Sequence, residues 1–91
     1  MALLSEAEIE EGLNRLRGWE KKGNEIVNVY KNKNFVESIG FVNKVAILAE
    51  KADHHPDILI QYKNVTLTLS THSQGGLTGK DFKLAGEIDA L

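Results

Sequence analysis

The sequence predicts an α+β domain in which a four-stranded antiparallel sheet carries three helices on one face. Two observations support this prediction: apolar residues recur at helical spacing in three stretches, and they alternate every second residue in the stretches between them. The predicted order is α-β-β-α-β-β-α, and two hairpins separated by a helix are typical of an antiparallel sheet covered on one side. No linker interrupts the pattern, so we expect residues 1–91 to form a single domain.

Each helix is predicted from a capping residue, with an acidic residue three positions later, followed by an apolar stripe. The capping pairs are Ser5 with Glu8, Asn34 with Glu37, and Thr78 with Asp81. The stripes place the helices near residues 5–17, 35–53 and 79–90.

The second helix is apolar around more than half of its circumference, which one sheet cannot cover in a chain of 91 residues. Either the other two helices cover the remainder, or this helix mediates self-association. Both alternatives stay open, and association is favoured because small cores need additional stabilisation. We therefore expect a homodimer or a homotetramer.

The strands are predicted from alternating polarity and from the turn residues between them. The segment GWEKKGN pairs with EIVNVYKN through a turn at Gly23 and Asn24. The segment DILIQY pairs with VTLTLSTH through a turn at Lys63 and Asn64, because Asn tolerates a positive φ. Counting outward from this second turn places His55 opposite His72, where Cβ atoms of neighbouring strands lie about 4.5–5.5 Å apart.

Composition and charge exclude several classes of protein. The net charge is −2, and the 11 basic residues are dispersed among 13 acidic ones, so we expect no nucleic-acid partner. There is no cysteine, which excludes disulfides and thiolate metal sites. The longest apolar run, VAILA, is far shorter than the ~20 residues of a membrane span, and the N-terminus has no basic region typical of a signal peptide. We expect a cytoplasmic protein with no membrane partner.

The three histidines are the strongest candidates for chemistry. His54 and His55 stand side by side before the only proline, and the predicted hairpin brings His72 to them. An imidazole titrates near neutral pH, so neighbouring histidines can serve as the acid and the base of one site. Glu50 precedes His54 by four residues and can share its helix face.

The histidines allow two other interpretations. A histidine at a helix end is often only a favourable charge for the helix dipole. Three histidines with Glu50 or Asp53 could instead ligate zinc in an open catalytic geometry. Adjacent histidines on a chain leaving a helix seldom both reach one metal, so acid–base chemistry is preferred.

The stretch AEKADHHPDILIQYKNVTLTLSTHSQGGLTGKDFKLA closely resembles the signature of pterin-4a-carbinolamine dehydratases. That signature has an acidic residue, three residues, His-His-Pro, an aromatic residue, a later Ser-Thr-His and an Asp followed by an apolar residue. The matching residues here are Glu50, His54, His55, Pro56, Tyr62, Ser70, Thr71, His72, Asp81 and Phe82. Lys80 stands where many relatives carry arginine, and lysine is less suited to bidentate recognition.

The resemblance implies dehydration of a 4a-hydroxytetrahydropterin to quinonoid dihydropterin in tetrahydrobiopterin recycling, with no metal or organic cofactor. It implies that His54 and His72 carry out the acid–base chemistry, that His55 binds or orients, and that Glu50 holds an imidazole. The predicted hairpin instead favours His55 as the neighbour of His72, and both alternatives stay open. The implied substrate contacts are Asp53, Ser70, Thr71, Ser73, Trp19 and Asp81. Trp19 also suits core packing, and Asp81 also suits a helix start. The alternative functions are a non-catalytic pterin-binding or coactivator module and a zinc-dependent enzyme.

Overall fold

The computed structural model describes residues 2–91, in which three helices accompany one four-stranded antiparallel sheet. In chain order the elements are α1 Glu6–Asn14, β1 Glu20–Lys22, β2 Glu25–Lys31, α2 Phe35–Ala52, β3 Asp57–Gln61, β4 Asn64–Leu69, a short 3₁₀ turn His72–Gln74, and α3 Gly79–Asp89. The predicted fold class and element order are confirmed. Across the described residues, no helix combines the length and hydrophobicity that crossing a bilayer demands.

The helix starts follow the capping pattern in the sequence. Both predicted capping boxes at α1 and α3 are present, so backbone donors of the first turn are satisfied locally. At α2 the Asn34 side chain accepts from the Glu37 amide at 2.8 Å, but the Glu37 carboxylate accepts from the amide of Lys33. The reciprocal pairing predicted for α2 is therefore wrong, although its cap is in the predicted place.

The sheet has the strand order β1-β2-β4-β3, so β4 lies between β2 and β3. One face of the sheet and one side of each helix form the hydrophobic core. Its buried members on the sheet are Ile26, Val65, Leu67 and Leu69, and on the helices Ile9, Val45, Leu84, Ala85 and Ile88. All three helices therefore pack against the same face, as predicted.

The hairpin between β3 and β4 turns at Tyr62 and Lys63, one residue earlier than predicted. Gln61 faces Asn64, and the paired residues further out are offset accordingly. The predicted turn at Lys63 and Asn64 is wrong, and with it the predicted pairing of the histidine before β3 with the one after β4.

Contacts from outside the hairpin explain this register. The Ser38 hydroxyl donates to the carbonyl oxygen of Tyr62 at 2.8 Å, and the Asn32 amide donates to the carbonyl oxygen of Lys63 at 2.8 Å. Tyr62 takes a φ of +55°, a conformation that costs an aromatic residue free energy. Local preference favours an asparagine there, so tertiary hydrogen bonds determine the turn.

The Asp89 carboxylate at the end of α3 accepts hydrogen bonds from three residues elsewhere in the fold. Asp89 Oδ1 accepts hydrogen bonds from Trp19 Nε1 at 3.0 Å and from the Tyr30 hydroxyl at 2.5 Å. Asp89 Oδ2 accepts from the backbone N–H of Arg17 at 2.9 Å. A carboxylate at a helix C-terminus opposes the helix dipole, and these three donors offset that cost.

Replacing Tyr30 with phenylalanine is expected to change the alkaline stability of the protein. Burial raises the pKa of Tyr30, and its hydrogen bond to the Asp89 carboxylate raises it further. The folded pKa of Tyr30 exceeds the unfolded value of about 10. The contribution of Tyr30 to the free energy of unfolding is therefore complete below pH ~10 and is lost as the pH rises above that value. Urea unfolding between pH 7 and pH 11 should show a shallower alkaline decline for Tyr30→Phe than for the unmodified protein. The exposed tyrosine supplies the control, Tyr62→Phe, and an equal change there would contradict the assignment.

Candidate active site

The chain leaves α2 through a left-handed residue immediately before the two adjacent histidines. Asp53 adopts φ 49° and ψ 44° at the helix end, and the His54 amide donates back to the Ala49 carbonyl at 3.1 Å. Asp is one of the few residues other than Gly that takes this conformation readily. Pro56 then prevents the helix from continuing. His54 consequently faces the interior, while His55 folds back along α2.

His54 is bonded to a fully buried carboxylate. Its Nε2 lies 2.5 Å from Asp81 Oδ1, and the side chains are 10% and 0% exposed. Asp81 Oδ2 also accepts from the Thr71 hydroxyl at 2.8 Å and from the backbone N–H of Thr78 at 3.0 Å. Asp81 therefore closes the capping box of α3 and holds His54 with the same side chain.

This arrangement determines which ring nitrogen of His54 is available for chemistry. An ionised carboxylate only accepts hydrogen bonds, so the proton between His54 and Asp81 is placed on Nε2. Within residues 2–91 no hydrogen bond involves Nδ1 of His54. In the neutral imidazole Nδ1 then carries the free lone pair and can accept a proton.

His54 lines a cavity of about 320 Å³ between the end of α2 and one side of α3. The other residues that line it are Ala52, Gly79, Lys80, Lys83, Leu84 and Glu87. The buried imidazole therefore borders an open space where a small ligand can lie. Lys83 and Glu87 were not singled out by the sequence, because only the packing of α3 against α2 brings them here.

His55 and Glu50 form a second, exposed pair. His55 Nε2 lies 2.5 Å from Glu50 Oε2, and the two side chains are 56% and 78% exposed. Glu50 was expected to share a helix face with His54, but the left-handed residue between α2 and the histidines turns His54 away. Glu50 thus orients His55.

His72 lies in a different cleft from His54. It begins the 3₁₀ turn after β4 and, with Ser70 and the turn between β1 and β2, lines a cleft of about 460 Å³. Among the described residues no hydrogen bond links it to His54 or His55. The expectation that His55 and His72 face each other across the hairpin is wrong, because the hairpin ladder ends at Asp57.

Thr71 nevertheless links the residues that hold His54 to the loop that carries His72. Its side chain is buried and bonded to Asp81, which holds His54, and the next residue in the chain is His72. Its backbone N–H also donates to the carbonyl oxygen of Gly76 at 2.8 Å, which closes the loop that carries His72. The Ser-Thr-His triplet thus joins the buried pair to the second cleft.

The other residues predicted to contact substrate differ in exposure and in hydrogen-bond partners. Asp53 and Ser73 are exposed, and Ser70 is half-buried. Trp19 is 5% exposed in the core and donates to Asp89, which fits the packing interpretation. Asp81 lies behind His54, so the geometry favours action through the imidazole over direct contact with substrate. The described residues contain no group of three or more side chains arranged to hold a metal ion.

A family model for pterin 4 alpha carbinolamine dehydratase matches residues 2–91 of the chain. The chain belongs to this family. A protein of Roseiflexus castenholzii provisionally named pterin-4-alpha-carbinolamine dehydratase is 57% identical over 90 residues, covering 99% of this chain and 97% of the relative. One of Sulfolobus acidocaldarius with the same provisional name is 46% identical over 88 residues, covering 97% of each chain.

The fold of the pterin dehydratase family is also found in a solved structure. The crystal structure of a transcriptional coactivator/pterin dehydratase from Brucella melitensis superimposes with a TM-score of 0.93 at 40% sequence identity. The match covers 97% of this chain and 96% of the other. The resemblance stated from the histidine motif is therefore confirmed at the level of family and fold.

Proposed function

We propose that the protein dehydrates a 4a-hydroxytetrahydropterin, the pterin-4a-carbinolamine, in tetrahydrobiopterin recycling. Membership of the family supports the substrate class. The observation that carries the proposal is a nine-tenths-buried imidazole, His54, held by buried Asp81 at the wall of a cavity. A buried, oriented histidine with one free nitrogen is suited to general acid–base catalysis.

The reaction requires two proton movements and no oxidant. The C4a–O bond breaks and the N5–H bond breaks, while a C4a=N5 double bond forms and water leaves. One group must accept the N5 proton, and another must protonate the departing hydroxyl. Each positioned acid or base typically contributes ~10²–10⁴-fold to such a rate.

We assign the two proton transfers to His54, which Thr71 contacts through Asp81, and to His72, which follows Thr71 in the chain. Nδ1 of His54 accepts the N5 proton, because Nε2 is committed to Asp81. His72, whose side chain is exposed, protonates the departing oxygen. His55, held by Glu50, orients the substrate. Ser70, Ser73 and Asp53 offer polar contacts to the pterin.

A stopped-flow assay with chemically generated 4a-hydroxytetrahydropterin tests the proposal directly. Rate enhancement with a bell-shaped profile between pH 5 and 9 is expected, since one imidazole must be neutral and another protonated. Activity should persist after treatment with a chelator, and its loss would favour the zinc alternative. Tight pterin binding without rate enhancement would favour the non-catalytic module.

The variant His72→Ala tests the assignment of the acid. We expect the dehydration rate to fall at least about tenfold, because the departing hydroxyl then leaves without a positioned proton donor. The fold should persist, since the side chain is exposed and makes no hydrogen bond within residues 2–91. Circular dichroism supplies the folding control, and unchanged turnover would remove His72 from the mechanism.

We also propose that residues 1–91 act as one cytoplasmic domain that self-associates through α2. Val36 and Ile47 are 80% and 69% exposed, and their separation of eleven residues places them on one face of the helix. Neither α1 nor α3 covers this face, and exposed apolar patches of this kind mark interaction sites. Light scattering should give a dimer or a tetramer; a monomer at micromolar concentration would contradict the proposal.

A further inference from the structure

Two buried threonine hydroxyls stand behind the pair formed by His54 and Asp81. Thr71 Oγ1 lies 2.8 Å from Asp81 Oδ2 and 2.8 Å from Thr78 Oγ1. Both threonines are buried, and neither hydroxyl reaches the cavity beside His54. Contact with substrate therefore does not explain why both residues carry a hydroxyl.

The hydrogen bonds among these groups can be ordered in only one direction. Each hydroxyl has one hydrogen to donate. The Asp81 carboxylate can only accept, so the hydrogen of Thr71 points at Asp81 Oδ2. Thr71 Oγ1 must then accept the hydrogen of Thr78. The Thr78 oxygen in turn accepts from the backbone N–H of Lys80 at 3.3 Å.

The result is a directed chain that ends on Asp81, the same carboxylate that accepts the hydrogen bond from Nε2 of His54. Hydrogen-bond donors in series polarise one another and strengthen the last bond. Asp81 Oδ2 is fixed by the Thr71 hydroxyl and the Thr78 amide, which leaves Oδ1 aimed at Nε2 of His54. The carboxylate cannot rotate without leaving a buried donor unsatisfied, which costs more than the bond itself.

We propose that Thr71 and Thr78 are positioning residues: they orient Asp81 and thereby hold His54 as the tautomer with a proton on Nε2. This inference rests on the proposed function for its effect on the reaction, and on geometry alone for its effect on His54. It assigns the threonine of the Ser-Thr-His triplet a role behind the imidazole instead of at the substrate.

Removing the Thr71 hydroxyl should loosen the hold of Asp81 on His54. Only the Thr78 amide then fixes Asp81 Oδ2, so Oδ1 is less firmly aimed at Nε2 and the tautomer with a proton on Nδ1 gains population. The other charged groups around His54 are unchanged by this substitution, so a change of tautomer is attributable to Asp81. Those groups are Glu50, Asp53 and His55 at the end of α2, and Lys80, Lys83 and Glu87 on α3.

The variant Thr71→Val keeps the shape of the side chain and loses only the hydroxyl. We expect kcat to fall about tenfold with little change in KM, because a His54 that carries its proton on Nδ1 cannot accept one there. Thr71→Ser should restore kcat, since it restores the donor. Thr66→Val, on the other face of the sheet, is the matched control and should leave kcat unchanged.

A second measurement separates failure of this inference from failure of the proposed function. Nitrogen-15 spectra of the imidazoles report the tautomer of each histidine whether or not the protein turns over a pterin. The fraction of His54 with its proton on Nε2 should fall in Thr71→Val, while the spectra of His55 and His72 should not change. An unchanged His54 tautomer would overturn the inference even in an active dehydratase.

The unmodified protein gives a test that does not depend on how the variant folds. The hydroxyl protons of Thr71 and Thr78 should exchange slowly with water, because both lie in the buried chain. The hydroxyl of Thr66 should exchange rapidly. Rapid exchange of the Thr71 hydroxyl would overturn the inference.

Discussion

Replacing Asp81 with asparagine is expected to lower the dehydration rate by about 10²–10⁴-fold while the fold is kept. The Thr78 amide can only donate, so the oxygen of the new amide group must lie at the position of Oδ2. The –NH₂ group then faces His54. His54 must accept at Nε2 and carry its proton on Nδ1, where the proposed mechanism needs a lone pair.

The measurement pairs stopped-flow turnover with nitrogen-15 spectra of Asp81→Asn. The spectra should show the opposite tautomer of His54, and the unfolding midpoint should change little because asparagine keeps the shape and the hydrogen bonds. Asp57→Asn, an exposed residue at the start of β3, is the matched control for loss of one charge near the histidines. Full activity in Asp81→Asn would show that the tautomer of His54 does not matter.

Asp81 also illustrates what the sequence can and cannot predict. Its spacing from Thr78 predicts a capping box, and the box is present. A capping carboxylate uses one oxygen for the helix start, and the sequence does not show what the other oxygen contacts. That contact, His54, lies 27 positions away and depends on how α2 packs against α3. Local patterns therefore located the helix, while the partner required tertiary structure.

The contacts of the histidines also do not follow from local sequence patterns. Their presence at one end of the sheet follows from the order of the elements, which the alternation of polarity predicts. Their pairing does not, because a left-handed residue turns the chain at the end of α2 and the two histidines then contact different carboxylates, Asp81 and Glu50. The hairpin register also depends on tertiary bonds from α2 and from the segment before it. The residue types at the site were predictable, and their contacts were not.

Replacing His54 with alanine is expected to reduce both stability and activity. Asp81 would remain fully buried without its imidazole partner, and removing one member of a buried pair costs about 3–5 kcal/mol of unfolding free energy. Turnover should fall by about 10²–10⁴-fold, because the proposed base is gone. Denaturant unfolding and stopped-flow kinetics on the same preparation measure the two effects.

The exposed histidine provides the matched control. His55→Ala removes a partner of Glu50 at the surface, where an ion pair contributes at most about 1 kcal/mol. Its unfolding free energy should therefore stay close to that of the unmodified protein. Equal destabilisation by the two alanine variants would contradict the burial argument.

A double variant separates the charge of Asp81 from the chemistry of His54. In His54→Ala with Asp81→Asn the buried side chain is neutral, so much of the stability lost in His54→Ala should return. Turnover should not return, because no imidazole borders the cavity. Recovery of the folded state without recovery of the rate would assign the stability loss to an unpaired buried carboxylate and the rate loss to the missing base. If stability failed to recover, lost packing would explain the single variant, and the charge would not.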